Sequence, residues 1–393
     1  MSLFGFGKKK RETIAVFDVG SASVGGAIIK ISSENKPEII AASRVPVNFL
    51  WDINFQAFWR CARNSLKKVL NSLAKDSLER PDKILCVFSS PWFISQTRII
   101  SLKKNEPFEI KKEFLEKLID NEVRTFKKKW QSGNSRSGGE PEVFERNPMK
   151  VTLNGYPTRK PFGKKAKELK AYIYMSLGMK KMADEIRSMI LEDFGDRPVL
   201  FHTLPFVVSS VLDDVIRPEG GYIFADIGGE MSDISLVRDD VLEETVSFPF
   251  GRNSILRKIS SEFKTSFKEA SSLAEKFGSG RMNSSDTQKI TPIMEAAKKE
   301  WTLLLRQALL ELSSRGPLSK DFFLIGCKDN SLNLINCVKD DFFSRFTILG
   351  NAFDVRQILP GSLRHYFSFK KGLKNEEDIF LMIESFFADK IFK

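Results

Sequence analysis

Two stretches decide how this chain is read: Ile14-Ala15-Val16-Phe17-Asp18-Val19-Gly20-Ser21-Ala22-Ser23, and Tyr222-Ile223-Phe224-Ala225-Asp226-Ile227-Gly228-Gly229-Glu230-Met231-Ser232-Asp233. Each is an apolar strand running into an Asp-x-Gly turn. A second apolar run follows each, at 24–31 and 234–237, so both read as β-hairpins. One Asp-x-Gly turn says little, because such turns are common. Here two lie 208 positions apart (226 − 18), about a domain length, which points to an internal duplication. The chemistry of the turns is specific. Glycine lets backbone N–H groups approach phosphate oxygens, and successive N–H groups form an anion-binding nest. Ser21, Ser23 and Ser232 add hydroxyl donors, and Asp18 and Asp226 can each hold a hydrated magnesium ion. Facing each other, the turns would clamp a polyphosphate from both sides.

Outward from the first hairpin, a strand is expected at 39–47 and a helix at 55–74, with Phe58, Ala62, Leu66, Val69 and Leu73 on one face. A smaller unit begins near Pro81. It reads as strands at 84–88 and 94–102, a helix at 108–128, a Gly/Ser/Glu-rich loop at 131–147, and strands at 149–153 and 169–175. A helix at 179–194 and a strand at 198–202 lead to the second hairpin. Beyond it, residues 290–315 carry the clearest helical stripe: Ile290, Ile293, Met294, Ala297, Trp301, Leu304, Leu305, Ala308 and Leu312. A late strand at 322–325 ends in Gly326.

At 393 residues the chain needs two or more cores, and 42% hydrophobic with 28% charged residues suits globular domains. The net charge of +12 favours anionic partners. Lys127-Lys128-Lys129 beside Trp130 comes with no recognised nucleic-acid motif, so nucleic acid is not expected. Cys61, Cys86, Cys327 and Cys337 form no C-x-x-C pair. With only two histidines a zinc site is not expected, and scattered thiols fit a reducing cytoplasm. His202 and His365 have no neighbours in sequence that suggest catalysis. No run reaches the ~20 apolar residues of a membrane span. The start, Leu3-Phe4-Gly5-Phe6 then Lys8 to Arg11, is not a secretory signal, which places the chain in the cytoplasm.

The two hairpins resemble the phosphate motifs of the actin, heat-shock chaperone and sugar-kinase superfamily, and Phe323-Leu324-Ile325-Gly326 resembles its adenosine motif. Within it, Val151-Thr152-Leu153-Asn154-Gly155-Tyr156 with Pro161-Phe162-Gly163-Lys164 resembles the end of the inserted small domain of the bacterial cell-division FtsA family. Leu204-Pro205-Phe206 resembles a connecting segment of that family. Residues 251–280, with Ala274-Glu275, resemble the region that reaches the nucleoside. The resemblance spans about 13–354. It implies an α/β chain with the actin-like ATPase fold: two duplicated ribonuclease-H-like domains with a small inserted α+β domain. The first domain would comprise 12–80 and 176–204, the insert 81–175, the second domain 205–360, and a C-terminal tail or helix 361–393.

It also implies ATP with Mg2+. Asp18, Gly20, Ser21, Ser23, Asp226, Gly228, Gly229, Ser232, Glu275 and Gly326 would form the site, with Asp18 and Asp226 holding the metal through water. The implied role is tethering filaments of the tubulin-like FtsZ, through its C-terminal tail, to the inner face of the cytoplasmic membrane, with self-association and slow ATP hydrolysis. A second reading is an adaptor like the pilus-assembly relative PilM, or a degenerate one, that binds partner peptides without hydrolysis. A sugar or acetate kinase would need a second substrate pocket, for which no motif is present.

The sequence departs from the family pattern at Gly25, where relatives carry a lysine or other polar residue, at Glu230 in place of a third glycine, at Gly326-Cys327 in place of paired glycines, and at Gly278 in place of a lysine, with Lys276 nearby. Together these weaken the case for hydrolysis. Glu230 has three readings: a catalytic carboxylate, a side chain turned to solvent, or a charge repelling phosphate. Two segments compete as the membrane tether. One is the N-terminal apolar-then-basic run. The other is the end of the chain, with Ile379, Phe380, Ile383, Phe386 and Phe387 at helical spacing. Glu376, Glu377, Asp378, Glu384 and Asp389 make its polar side acidic, which anionic lipid repels, so packing on the protein body is the alternative.

Overall fold

A computed structural model describes residues 11–77, 79–133, 139–218, 220–326, 334–373 and 377–393. In chain order its elements are β1 (Glu12–Val19), β2 (Ser23–Ile31), β3 (Glu38–Pro46), α1 (Phe55–Asp76), β4 (Lys83–Phe88), β5 (Phe93–Glu109), α2 (Lys112–Gly133), β6 (Pro141–Leu153), β7 (Tyr156–Pro157), β8 (Lys165–Met179), α3 (Lys180–Phe194), β9 (Val199–Thr203) and α4 (Leu204–Val215). There follow β10 (Tyr222–Ile227), β11 (Ser232–Arg238), β12 (Val241–Phe248), α5 (Arg252–Phe263), α6 (Phe267–Gly278), α7 (Ser284–Leu312), β13 (Asp321–Ile325), α8 (Leu334–Val338), β14 (Asp354–Ile358), α9 (Pro360–Leu363), β15 (Ser368–Phe369) and α10 (Ile379–Phe392).

The duplication is explicit in the sheets. One runs β15-β3-β2-β1-β4-β9, the other β12-β11-β10-β13-β14. In both, the first strand pairs antiparallel with the second and parallel with the fourth, and the second pairs antiparallel with the third. Helices cover both faces. On β1, Ile14 and Val16 enter the core between the two sheets, while Ala15, Phe17 and Val19 face α1 and α3. On β10, Tyr222 and Phe224 face that central core, and Ile223 and Ala225 face α5 to α7. Strands buried on both sides read as continuous apolar runs, which is why the two hairpins stand out in the sequence. The helices α4 and α10 fill the middle layer.

A third sheet, β5-β8-β6-β7, packs α2 on one face through Leu115, Ile119, Val123 and Phe126. It differs from the sequence reading at three places. The strand Lys83–Phe88, read as part of the insert, instead pairs with β1 and β9 in the first sheet. Phe108 lies at the end of β5, and the helix runs Lys112–Gly133. The loop read at 131–147 is shorter on both sides, since α2 reaches Gly133 and β6 starts at Pro141; residues 134–138 lie outside the described residues.

The C-terminal helix is not an amphipathic surface element. Ile379, Leu381, Met382, Ile383, Glu384, Ser385, Phe387 and Ala388 are all buried, so α10 is covered around most of its circumference. It lies against α4, β1 and β2. Of the two candidate tethers, this one is built into the core; the other, residues 3–10, lies outside the described residues.

Candidate functional site: the cleft between the two turns

Each Asp-x-Gly turn closes on itself. The Gly20 N–H donates to the Ser23 carbonyl at 3.1 Å, and the Gly228 N–H to the Met231 carbonyl at 2.9 Å. The turns also close on each other. Ser21 Oγ accepts from the N–H groups of Gly229 (2.9 Å) and Glu230 (3.1 Å). These are amides of the second turn that the sequence reading reserves for phosphate. A Cβ on Gly229 would lie 2.7 Å from the Ala22 nitrogen, so only glycine permits this approach. The first N–H groups of α5 are taken as well, Arg252 N donating to Gly228 O (3.0 Å) and Asn253 N to Gly229 O (2.8 Å).

Around the turns lies a cavity of about 280 Å³, below the roughly 300–1,000 Å³ typical of small-molecule sites. Asp18, Gly20, Ser21, Ser23, Asp226, Gly228, Gly229 and Gly326 line it, so eight of the ten expected site residues come together. Two do not. Ser232 is fully buried, donating to the Phe250 carbonyl (2.7 Å) and accepting from Trp301 Nε1 (3.2 Å). Glu275 sits exposed on α6, beside Arg252 and Ser271.

The electrostatics of the cavity centre on Arg44, which sequence reasoning missed. Its Nη1 contacts Asp18 Oδ2 at 2.7 Å and Ser23 Oγ at 2.8 Å. Its Nε and Nη2 hold Asp378, the latter at 3.0 Å. Burial alone would lower the Arg44 guanidinium, but Asp18 and Asp378 together hold it well above its usual value. Burial pushes the Asp18 carboxyl up, with Arg44 pulling against that. On β2, Gly25 stands opposite Arg44 in register, and a Cβ there would lie 2.6 Å from the guanidinium. The side chain missing at Gly25 is thus replaced in space by one from the neighbouring strand. The only sequence signal for this was the glycine itself.

Several other carboxylate oxygens in the centre make no hydrogen bond. Asp226 Oδ1, Asp233 Oδ1 and both Glu384 oxygens are buried without a hydrogen bond. Burial, then the neighbouring Asp233 and Asp18, pushes Asp226 well above the usual carboxylate range. Burial, then Asp18, does the same to Glu384. Among the described residues no three His, Cys, Asp or Glu side chains are grouped to hold a metal. In this arrangement the residues do not fit magnesium triphosphate: the cation beside Asp18 is a guanidinium, and turn amides are satisfied by Ser21.

Glu230 answers to none of its three readings. It is buried, and its carboxylate pairs with Arg257 through both oxygens at 2.8 Å and with Asn253 Nδ2 at 2.7 Å. Arg257 in turn donates to the Leu50 carbonyl at 3.0 Å and lies over the Phe49 ring. The carboxylate therefore ties the second turn, through Arg257, to the loop after β3.

Residues 223–344 match the family model described as cell division protein FtsA. This is an FtsA-like chain of the actin fold. A chain of the "PilM-PilN type IV pilus biogenesis complex" shares 14% identity with the FtsA-like chain, with a TM-score of 0.62, over 96% of this chain and 98% of that one. A Bacteroides thetaiotaomicron protein of actin-like ATPase fold and unknown function has 10% identity and a TM-score of 0.43, covering 98% and 99%. Ethanolamine utilization protein EutJ from Carboxydothermus hydrogenoformans has 10% identity and a TM-score of 0.44, covering 95% and 89%. No curated protein matches the sequence. The matched region of the FtsA-like chain contains the second turn, Glu230 and Gly326, and stops before the C-terminal helix. Cys327, the departure beside Gly326, lies outside the described residues.

Proposed function

We propose that the chain is an actin-fold adaptor of a division- or pilus-type assembly, which binds a partner protein and does not turn over ATP. The observation that carries this reading is Ser21: its hydroxyl already accepts the two N–H groups that would stabilise a transferring phosphoryl group. Phosphoryl transfer depends on such donors being free and aimed at developing charge. Arg44 supports the same reading by occupying the carboxylate expected to position magnesium. The domain boundaries implied by the resemblance are retained in this proposal, with the start of the insert moved to Phe93, after β4.

The finer proposal is that the partner is the C-terminal tail of FtsZ, with the adaptor self-associating in the cytoplasm. No helix among the described residues is long and apolar enough to cross a membrane. Because α10 is built into the core, peripheral membrane contact falls to the N-terminal segment, Leu3-Phe4-Gly5-Phe6 with its following basic run. The test is fluorescence anisotropy with a peptide copied from the FtsZ tail of the same organism, run beside a phosphate-release assay. Saturable binding in the micromolar range with phosphate release at background is the expected outcome. Phosphate release that Asp226→Ala abolishes would overturn the reading.

A further inference from the structure

The strongest unexplained feature is what closes the cleft opposite the two turns. Three consecutive residues of the C-terminal segment, Asp378, Ile379 and Phe380, line the cavity. Asp378 does two things at once. Its carboxylate holds the Nε and Nη2 side of the Arg44 guanidinium, and its Oδ1 accepts the Leu381 N–H at 3.2 Å, capping α10. The Phe380 ring sits on Gly326, the residue expected to receive the adenosine. Gly326 has φ +73°, and a Cβ there would lie 2.3 Å from the ring. Arg44 also stacks toward this ring, its guanidinium carbon 5.8 Å from the centroid. The next residue, Leu381, reaches to 3.2 Å from the Cβ position of Gly25.

We infer that the resident occupant of this cleft is the chain's own segment Asp378–Phe380, with a carboxylate supplying the anion on Arg44 and an aromatic ring supplying the planar group on Gly326. This deepens the adaptor reading, on which it rests, by saying what holds the cleft shut. A nucleoside triphosphate must displace both groups before it can enter, and each adds its own share to the cost, so removing Phe380 alone already favours entry. Its phosphates compete with Asp378 for Arg44, and its base competes with Phe380 for the glycine surface. The geometry therefore separates two properties. The actin-fold body is closed without nucleotide, and the segment stands where the phosphates and base of a nucleotide would have to go.

The experiment is a titration of fluorescent ATP analogue with magnesium into the full chain and three variants: Phe380→Ala, Phe380→Leu and Asp378→Ala/Phe380→Ala. The two single variants keep the Asp378 cap on α10 and guard against a double variant that fails to fold. Circular dichroism and melting curves establish which variants are folded. The wild type should show no saturation up to millimolar analogue, and a folded variant should bind at least tenfold more tightly. Micromolar saturation of the wild type overturns the inference. So does a folded Phe380→Ala or Phe380→Leu variant that binds no better than the wild type. The same proteins go into the FtsZ-tail anisotropy assay. Gained nucleotide affinity with no peptide binding would sink the partner proposal and leave the masked cleft standing. Peptide binding with no gain in nucleotide affinity would do the reverse.

Discussion

Replacing Glu230 with the glycine of the family pattern makes the protein weaker, not more active. On the repulsion reading of the sequence, Glu230→Gly would relieve repulsion and improve ATP binding. The structure reverses the sign, because the carboxylate is neutralised by Arg257 at 2.8 Å and bonded to Asn253 at 2.7 Å. Deleting it leaves a guanidinium that is only 20% exposed, beside the Leu50 carbonyl and the Phe49 ring but without its carboxylate. Breaking one side of a buried ion pair typically costs about 3–5 kcal/mol, since the remaining charge loses its compensation. With a urea dependence of roughly 3 kcal/mol per molar, that is a midpoint lower by about 1–1.7 M. The assay is equilibrium urea unfolding of wild type and Glu230→Gly, followed by phosphate release on the folded variant. A variant as stable as wild type would refute the structural role, and one that hydrolyses ATP robustly would restore the repulsion reading.

Glu384 makes stability fall with rising pH. Its carboxyl is pushed well above the usual carboxylate range by burial, so the folded state binds the proton more tightly than the unfolded chain. That contribution is complete below about pH 4.5 and is lost as pH climbs through the raised value. Melting temperature should therefore drop as pH rises above about 5, and Glu384→Gln should flatten the drop; parallel profiles would discount the assignment. Gly326→Ala should destabilise by about 1–2 kcal/mol from its left-handed backbone alone, and more from the clash with Phe380. In a double-mutant cycle measured by urea unfolding, Phe380→Ala should recover part of that loss, and strict additivity would mean the two do not touch.

The duplicated core was legible because its strands are buried on both faces, so β1 and β10 appear as apolar runs ending in the same turn. The site was legible up to the turns. Beyond them, its chemistry depends on pairings that cross the chain: Arg44 meets Asp378 across 334 positions, and Arg257 meets Glu230 from a different element. Neither carries a local signal. The acidic residues near the end of the chain misled for a clear reason. Glutamate and aspartate at helical spacing read as a solvated face, because an unpaired buried carboxylate is costly. Glu384 is nevertheless 0% exposed, and its helix is a core element. Glu145 was overlooked in the same way. It is buried on β6, accepts from the Thr203 backbone N–H and hydroxyl at 3.2 and 2.7 Å, and lies 3.0 Å from His202 Nδ1, which gives that histidine a structural partner.

The backbone passes between the two large sheets twice. It leaves the first through α4 to reach β10, and returns from β14 to lay β15 beside β3 before α10. A plate attached at one pin can swivel freely; attached at two, it keeps mainly the rotation about the line through them. Any opening of this molecule is thereby confined to a single hinge axis running through the middle layer. The inserted sheet touches the far half as well, where the Thr97 hydroxyl donates to the Leu242 carbonyl at 2.5 Å. The insert is therefore a third link between the halves, and an opening about that axis must either carry this contact along or break it.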